Sequence, residues 1–232
     1  MTNLFENESY NETNRKLIHI VNGFWAFLIP FFPRLLALFI TVVAFIFVFV
    51  LSRPNSRFGS LFKRSFQLMA REEDWKRGYL HGPTIYVVMV IICIIFLDYR
   101  LAGSIFAILA FGDGFATLIG KKFGNHIISN EKTLEGSLAF FVFALPTSLF
   151  VFLLISVFNT PTGGFVLIFL ILLPENSQFI PLEILIIIFV FVNLTITIVE
   201  LFFSNKINDN ILIPVTGIIL FYFSFTMAIM IF

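Results

Sequence analysis

Hydrophobic positions in this chain form long unbroken runs rather than amphipathic periods. The runs occupy residues 17–33, 35–51, 83–97, 101–120, 137–158, 182–203 and 211–231. Most approach the ~20 residues that cross a hydrocarbon core ~30 Å thick, and the short 83–97 run borrows flanking residues. The pattern predicts an all-α, polytopic membrane bundle of about seven transmembrane helices. Residues 163–174 are also apolar, but they stop at Pro174, with Pro181 beyond. That piece reads as re-entrant or interfacial.

Polar positions collect between the runs. Residues 1–16 are polar and acidic and end in Arg15 and Lys16. They lack the basic start and small-residue cleavage site of a signal peptide, so a retained cytoplasmic N-terminal segment is expected ahead of one membrane domain at 17–232. With seven spans and a cytoplasmic N-terminus, only Arg34 and Arg100 of the 15 lysines and arginines fall on the far side. This is a strong positive-inside bias. An eighth span at 163–174 would move residues 205–210 away from the other polar clusters, whereas seven spans keep them together.

Composition agrees with the pattern. Hydrophobic residues make up 59% of the chain, with 34 phenylalanines, and charged residues only 12%, against about 25% in soluble domains. No polar stretch is long enough for a separate soluble enzyme, so any chemistry belongs at the bilayer. A net charge of +1 gives no preference for nucleic acid. The single cysteine, Cys93, lies in an apolar run and reads as a buried thiol.

Candidate chemistry centres on residues 111–136, FGDGFATLIGKKFGNHIISNEKTLEG. On a helix, Asp113, Ala116, Thr117, Gly120, Lys121 and Gly124 share one small, polar face. A carboxylate in a membrane helix costs roughly 2.5–3.5 kcal/mol on insertion scales, so something must offset Asp113. Two readings are open: a packing seam in which Asp113 pairs with a lysine, or a metal or phosphate site at the cytoplasmic end. The glycine and lysine spacing does not make a P-loop, because five residues separate Gly114 from Gly120 and Lys122 follows Lys121. Lys121, Lys122 and Lys132, with Thr133 and Glu135, still offer suitable charge for a polyphosphate and its metal. Equally, Thr133 suits a helix N-cap, Glu135 a first helical turn, and the lysines mark topology.

Three flanking clusters add to this. Arg15, Lys16 and His19 lie one helical turn apart, placing His19 just inside the headgroup region for a structural role, proton transfer or a lipid phosphate. The 52–82 loop, with Arg71, Glu72, Glu73, Asp74, Lys76, Arg77 and His81, reads as an amphipathic surface helix. Glu200, Asn208, Asp209 and Asn210 are either turn and capping residues or hard oxygen ligands suited to Mg²⁺.

These pieces resemble the CTP-dependent lipid-alcohol kinase family, which includes dolichol kinase, phytol kinase and the CTP-dependent diacylglycerol kinase. The matching residues are Glu12 with Arg15, Lys16 and His19; Arg71, Glu72 and Glu73 leading to Gly82; GDGFATLIGKKFG at 112–124; KTLEGSLA at 132–139; and Glu200 with Asp209, Asn210 and Pro214. The central region is also similar to CDP-diacylglycerol synthase, a phosphatidate cytidylyltransferase. That enzyme continues with a Pro-Gly-His-Gly-Gly segment and Asp-Arg-x-Asp, and nothing after residue 137 here matches them. A non-enzymatic membrane or transport protein has little support, because charges within the spans are sparse.

The resemblance implies transfer of the CTP γ-phosphate to a lipid alcohol: a polyprenol or dolichol, geranylgeraniol or phytol, or diacylglycerol. It implies that Lys121, Lys122, Lys132 and Thr133, with Gly112, Gly114, Arg15, Lys16 and His19, bind the nucleotide. Asp113, Glu135, Glu200, Asp209 and Asn210 are the expected ligands of Mg²⁺ or another divalent cation. Asp113, Lys132 and Glu135 are the expected catalytic residues, with Asp113 accepting the alcohol proton because it sits deepest toward the lipid.

Overall fold

A computed structural model describes residues 12–129, 132–158 and 181–231. Among the described residues, five helices are long and apolar enough to cross a membrane: Arg34–Leu51, Tyr99–Phe123, Leu134–Phe158, Leu182–Phe203 and Asp209–Met230. The described residues form an all-α membrane bundle with one small hairpin. The expected piece at 163–174 lies outside the described residues.

The other two expected spans take different forms. Residues 17–33 are divided between α1 (Glu12–Gly23), α2 (Trp25–Leu28) and a tight 3₁₀ turn at Ile29–Phe31. Gly23 sits where a Cβ would come within 2.5 Å of Ala110 Cβ, so α1 can press closely on the helix beneath it. The 83–97 run forms α6 (His81–Phe96). Its 16 residues reach about 24 Å, short of a full hydrocarbon core.

Between them, α3 (Arg34–Ile46) continues through a π-helical turn to Leu51. The polar 52–82 loop then folds into α4 (Ser60–Met69) and α5 (Glu72–Arg77), two short helices rather than one. Gly78, at φ +74°, ends α5 in a left-handed conformation that glycine adopts without strain. Buried Asp74 joins α5 to α6 by accepting hydrogen bonds from the backbone N–H groups of Arg71 and His81, each 2.9 Å long.

The centre of the bundle is α7 (Tyr99–Ala107) and α8 (Asp113–Phe123), joined by a π-helical turn at Ile108–Gly112. This combined helix is 78% buried, against 11–39% for the other four long helices. It also has the lowest mean hydropathy of the five, 1.7. A helix wrapped by other helices needs small residues for close approach more than greasy ones for lipid contact. Ala102, Gly103, Ser104, Ala107, Ala110 and Gly112 meet that need, and all are buried.

Around it stand α9 (Leu134–Phe158), α10 (Leu182–Phe203) and α11 (Asp209–Ile231). A buried polar seam links three layers. Ser104 Oγ donates to the Ser148 carbonyl at 3.1 Å, and Asn193 Nδ2 donates to Ser148 Oγ at 3.3 Å. Phenylalanine rings fill the space beside it, with Phe152, Phe189, Phe221 and Phe225 in mutual contact.

The two ends of the bundle differ. At one, Arg34 donates to the carbonyls of Ile94 and Leu97, and Tyr99 Oη donates to that of Ile29. Arg100 pairs with Asp98 there, and Phe31 packs on Phe158. At the other, Lys16, Lys121, Lys132, Glu200 and Asp209 come together. Helix α9 leaves that polar end and α10 returns to it.

Candidate functional site

The polar end holds a cavity of about 490 Å³. Its cationic side is made by Arg15, Lys16, Arg71, Lys121 and Lys132, and its acidic side by Glu12, Glu200 and Asp209. Ala116, Thr117, Gly120 and Lys121 form one wall, so the small face read from the sequence borders the cavity. The same face packs on α9. A Cβ on Gly136 would come within 3.0 Å of the Ala116 carbonyl oxygen, and one on Gly124 within 2.6 Å of Thr133. Glycine lets α8, α9 and the hairpin meet at the cavity floor. Seam and site are one surface.

The hairpin pairs β1 (Ile127–Ser129) antiparallel to β2 (Lys132–Thr133). It delivers Lys132 over the cavity while Thr133 caps α9, its Oγ1 accepting from the Gly136 N–H at 3.2 Å. Lys132 Nζ donates to the Glu200 carboxylate and lies 4.0 Å from Asp209 Oδ2. Burial opposes the charge on Lys132, but Glu200, Asp209 and Asp113 outweigh it and hold the ammonium above the ordinary lysine range.

Beneath this, Lys16 Nζ donates to Asp113 Oδ2 at 2.5 Å, with Lys16 5% and Asp113 1% exposed. His19 lies one turn further along α1, its Nε2 3.1 Å from the Leu109 carbonyl and 3.7 Å from Asp113 Oδ2. A carbonyl only accepts, so Nε2 carries the proton in that hydrogen bond. At the rim, Glu12 meets Arg15 at 3.1 Å, Lys121 at 3.2 Å and Arg71 at 3.8 Å. Burial disfavours its charge, yet Lys121, Arg15 and Lys16 keep its carboxyl below the usual range.

One carboxylate oxygen from each of Asp113, Glu200 and Asp209 lies within 4.8 Å of the others. These three acids face the buried Lys16 and the half-buried Lys132. Asp113 Oδ1 and Asp209 Oδ1 are buried with no hydrogen-bond partner. Hard, anionic oxygens with unused lone pairs are the donor set a divalent cation takes, so the residues fit one. Arg15 Nε is likewise buried and unpartnered in the cationic wall, a donor suited to a phosphate oxygen. No family model, curated protein or solved structure matches this chain.

The expected site residues therefore separate into two sets. Arg15, Lys16, Lys121, Lys132 and Thr133 line the cavity with Glu200 and Asp209, and Asp113 and His19 lie directly behind Lys16. Glu135 does not join the acids. It accepts from His126 Nδ1 at 2.6 Å, beside the hairpin. Lys122 is exposed, with Nζ 5.1 Å from the centre of the Phe123 ring, outside the cavity wall. Gly112 and Gly114 are packing points against Phe140 and Ile20. Asn210 is turned to α6, donating to the Gly82 carbonyl at 2.9 Å. Ser137, Ser204 and Asn205 also line the cavity and were not anticipated. Ser204 and Asn205 do break the apolar run one turn after Glu200, and that was the signal for them.

Proposed function

We propose that this protein is a CTP-dependent kinase that transfers the γ-phosphoryl group to a membrane lipid alcohol and yields the lipid monophosphate. The observation that carries this reading is the convergence of Asp113, Glu200 and Asp209 beneath a wall of lysine and arginine, at one end of a membrane bundle. Phosphoryl transfer needs little covalent help from a protein and much positioning and charge stabilisation. Arg15, Lys121 and Lys132 bind the triphosphate. Glu200 and Asp209, beside Asp113, would hold a divalent cation, which when bound neutralises charge on the phosphate oxygens and leaves Asp113 Oδ1 for the substrate proton. Glu12 sets the rim lysine and arginines in place.

The alcohol oxygen attacks the γ-phosphorus, its proton passes to Asp113, and the bond from the γ-phosphorus to the bridging oxygen breaks to release CDP. Asp113 Oδ2 is committed to Lys16, so Oδ1 is the accepting atom. His19, fixed on the Leu109 carbonyl, holds the floor of the site beside it.

The same reading sets seven crossings: the broken α1–α2 segment, α6 and the five long helices, with the cavity facing the cytoplasm. Lysine and arginine concentrate at the cavity end, whereas Arg34 and Arg100 lie at the other, as the positive-inside rule requires.

Purified protein with Mg²⁺, CTP and either a panel of lipid alcohols or phosphatidate tests the reaction. Label from γ-labelled CTP is expected in a lipid monophosphate. Label entering lipid from α-labelled CTP, with pyrophosphate release, would make it a cytidylyltransferase, and no transfer from either would remove the enzyme reading.

A further inference from the structure

The polar cavity is one of three neighbouring spaces that share lining residues. An apolar groove of about 390 Å³ lies between α1, α3, α4 and α6, with Ile40, Ala44, Leu68, Val87 and Val90 in its walls. A throat of about 40 Å³ adjoins it, and Ile18, Asn22, Val48, Met69, Tyr86 and Val87 border both. On its other side the throat is bordered by Arg15 and Lys16, which also line the polar cavity. His19 lies in the throat wall, 3.7 Å from Asp113.

Tyr86 marks the junction. It is 5% exposed, its ring lies 4.3 Å from that of His19, and its hydroxyl is buried without a hydrogen-bond partner. Leaving such a group unpaired is unfavourable, a penalty that an alcohol oxygen arriving from the groove removes. Throat size restricts what arrives. A water needs roughly 10–15 Å³, so the throat admits a few heavy atoms at most. A terminal CH₂–OH passes; a glycerol carrying two esters does not.

We propose that the groove holds the hydrocarbon chain of the substrate, that the substrate is a single-chain primary alcohol rather than diacylglycerol, and that the Tyr86 hydroxyl binds the alcohol oxygen in the throat. This rests on the kinase reading of the polar cavity. The groove supplies chain affinity without chain specificity, because apolar walls discriminate hydrocarbons poorly. Selection comes from the throat, which tests the head of the lipid.

Photolabelling tests this on the full chain in phosphatidylcholine vesicles, with a long-chain primary alcohol carrying a diazirine in its tail. Label is expected on Ala44, Leu68 and Val90. Excess unlabelled single-chain alcohol should remove it and excess diacylglycerol should not. Ala44→Trp, at a groove position exposed to lipid, should cut labelling about tenfold or more. Tyr86→Phe should raise the half-saturating alcohol concentration about three- to tenfold, the range of one hydrogen bond, and leave labelling by the matching alkane unchanged. Label spread over the lipid-facing surface, equal competition by diacylglycerol, or indifference to Ala44→Trp would overturn the proposal. The two readings fail separately. Groove labelling with no transfer from γ-labelled CTP removes the kinase and leaves an alcohol site, whereas transfer to diacylglycerol with label outside the groove removes this inference and leaves the kinase.

Discussion

Lys16 and Asp113 stand 97 residues apart in sequence and 2.5 Å apart in the fold, both withdrawn from solvent. Each is the other's compensation. Removing one partner of a buried pair leaves a bare charge and costs roughly 3–5 kcal/mol, while removing both costs much less. Lys16→Met should therefore lower thermal stability in detergent more than Lys16→Met combined with Asp113→Asn. Additive effects of the two changes would mean that the pair is not energetically coupled.

Asp113 should also be required for turnover. As proton acceptor it contributes on the order of 10²–10⁴-fold, so Asp113→Asn should lose at least about 10²-fold in kcat with KM for CTP little changed. Wild-type turnover in that variant at saturating CTP and Mg²⁺ would remove Asp113 from proton transfer.

Acids near the site should differ in metal dependence. Glu200→Gln and Asp209→Asn should each raise the Mg²⁺ concentration for half-maximal activity, by about tenfold or more. Glu135→Gln should not, because Glu135 is engaged with His126 outside the three-acid cluster. A titration of activity against Mg²⁺ in the three variants distinguishes them, and an equal shift in Glu135→Gln would contradict the separation.

The pH response of stability follows from two groups with opposite signs. Glu12 has a depressed pKa, so its contribution is present above the unfolded glutamate value of about 4.3 and is lost as pH falls through the lower folded value. Lys132 has a raised pKa, so its contribution is complete below the unfolded lysine value of about 10.4 and is lost as pH rises through the higher folded value. Melting of wild type and Glu12→Gln should differ by a constant amount at neutral pH and converge in acid. A gap that widened on acidification would have the wrong sign.

Much of the site was legible because membrane chains spend polar residues sparingly. Asp113 and Glu200 stand out against apolar neighbours, and the small face from Asp113 to Gly124 follows from helical spacing alone. Pairings were not legible. Nothing local joins Lys16 to Asp113 or Lys132 to Glu200, because both depend on helices meeting across the bundle. Glu135 illustrates the limit from the other side: its place in KTLEG implied a site role, but the first turn of α9 directs it to the hairpin and His126. Tyr86 gave no signal at all. An aromatic in a run of valine and isoleucine reads as core until the spaces around it are seen. Helix lengths were equally mixed, since five apolar runs became long helices while 17–33 broke at Gly23, where α1 needs close contact with Ala110.

The Lys16–Asp113 and Lys132–Glu200 pairs also have a direction in time. Lys16 precedes Asp113 by 97 residues and Lys132 precedes Glu200 by 68. A ribosome makes the base before the acid in each case, so Asp113 and Glu200 each reach the membrane after their counter-ion. The central helix, least apolar of the five, thus enters a bilayer where α1 is already waiting. Chains lacking residues 1–24 should integrate Tyr99–Phe123 less efficiently than chains that retain them, and Asp113→Leu should abolish that difference.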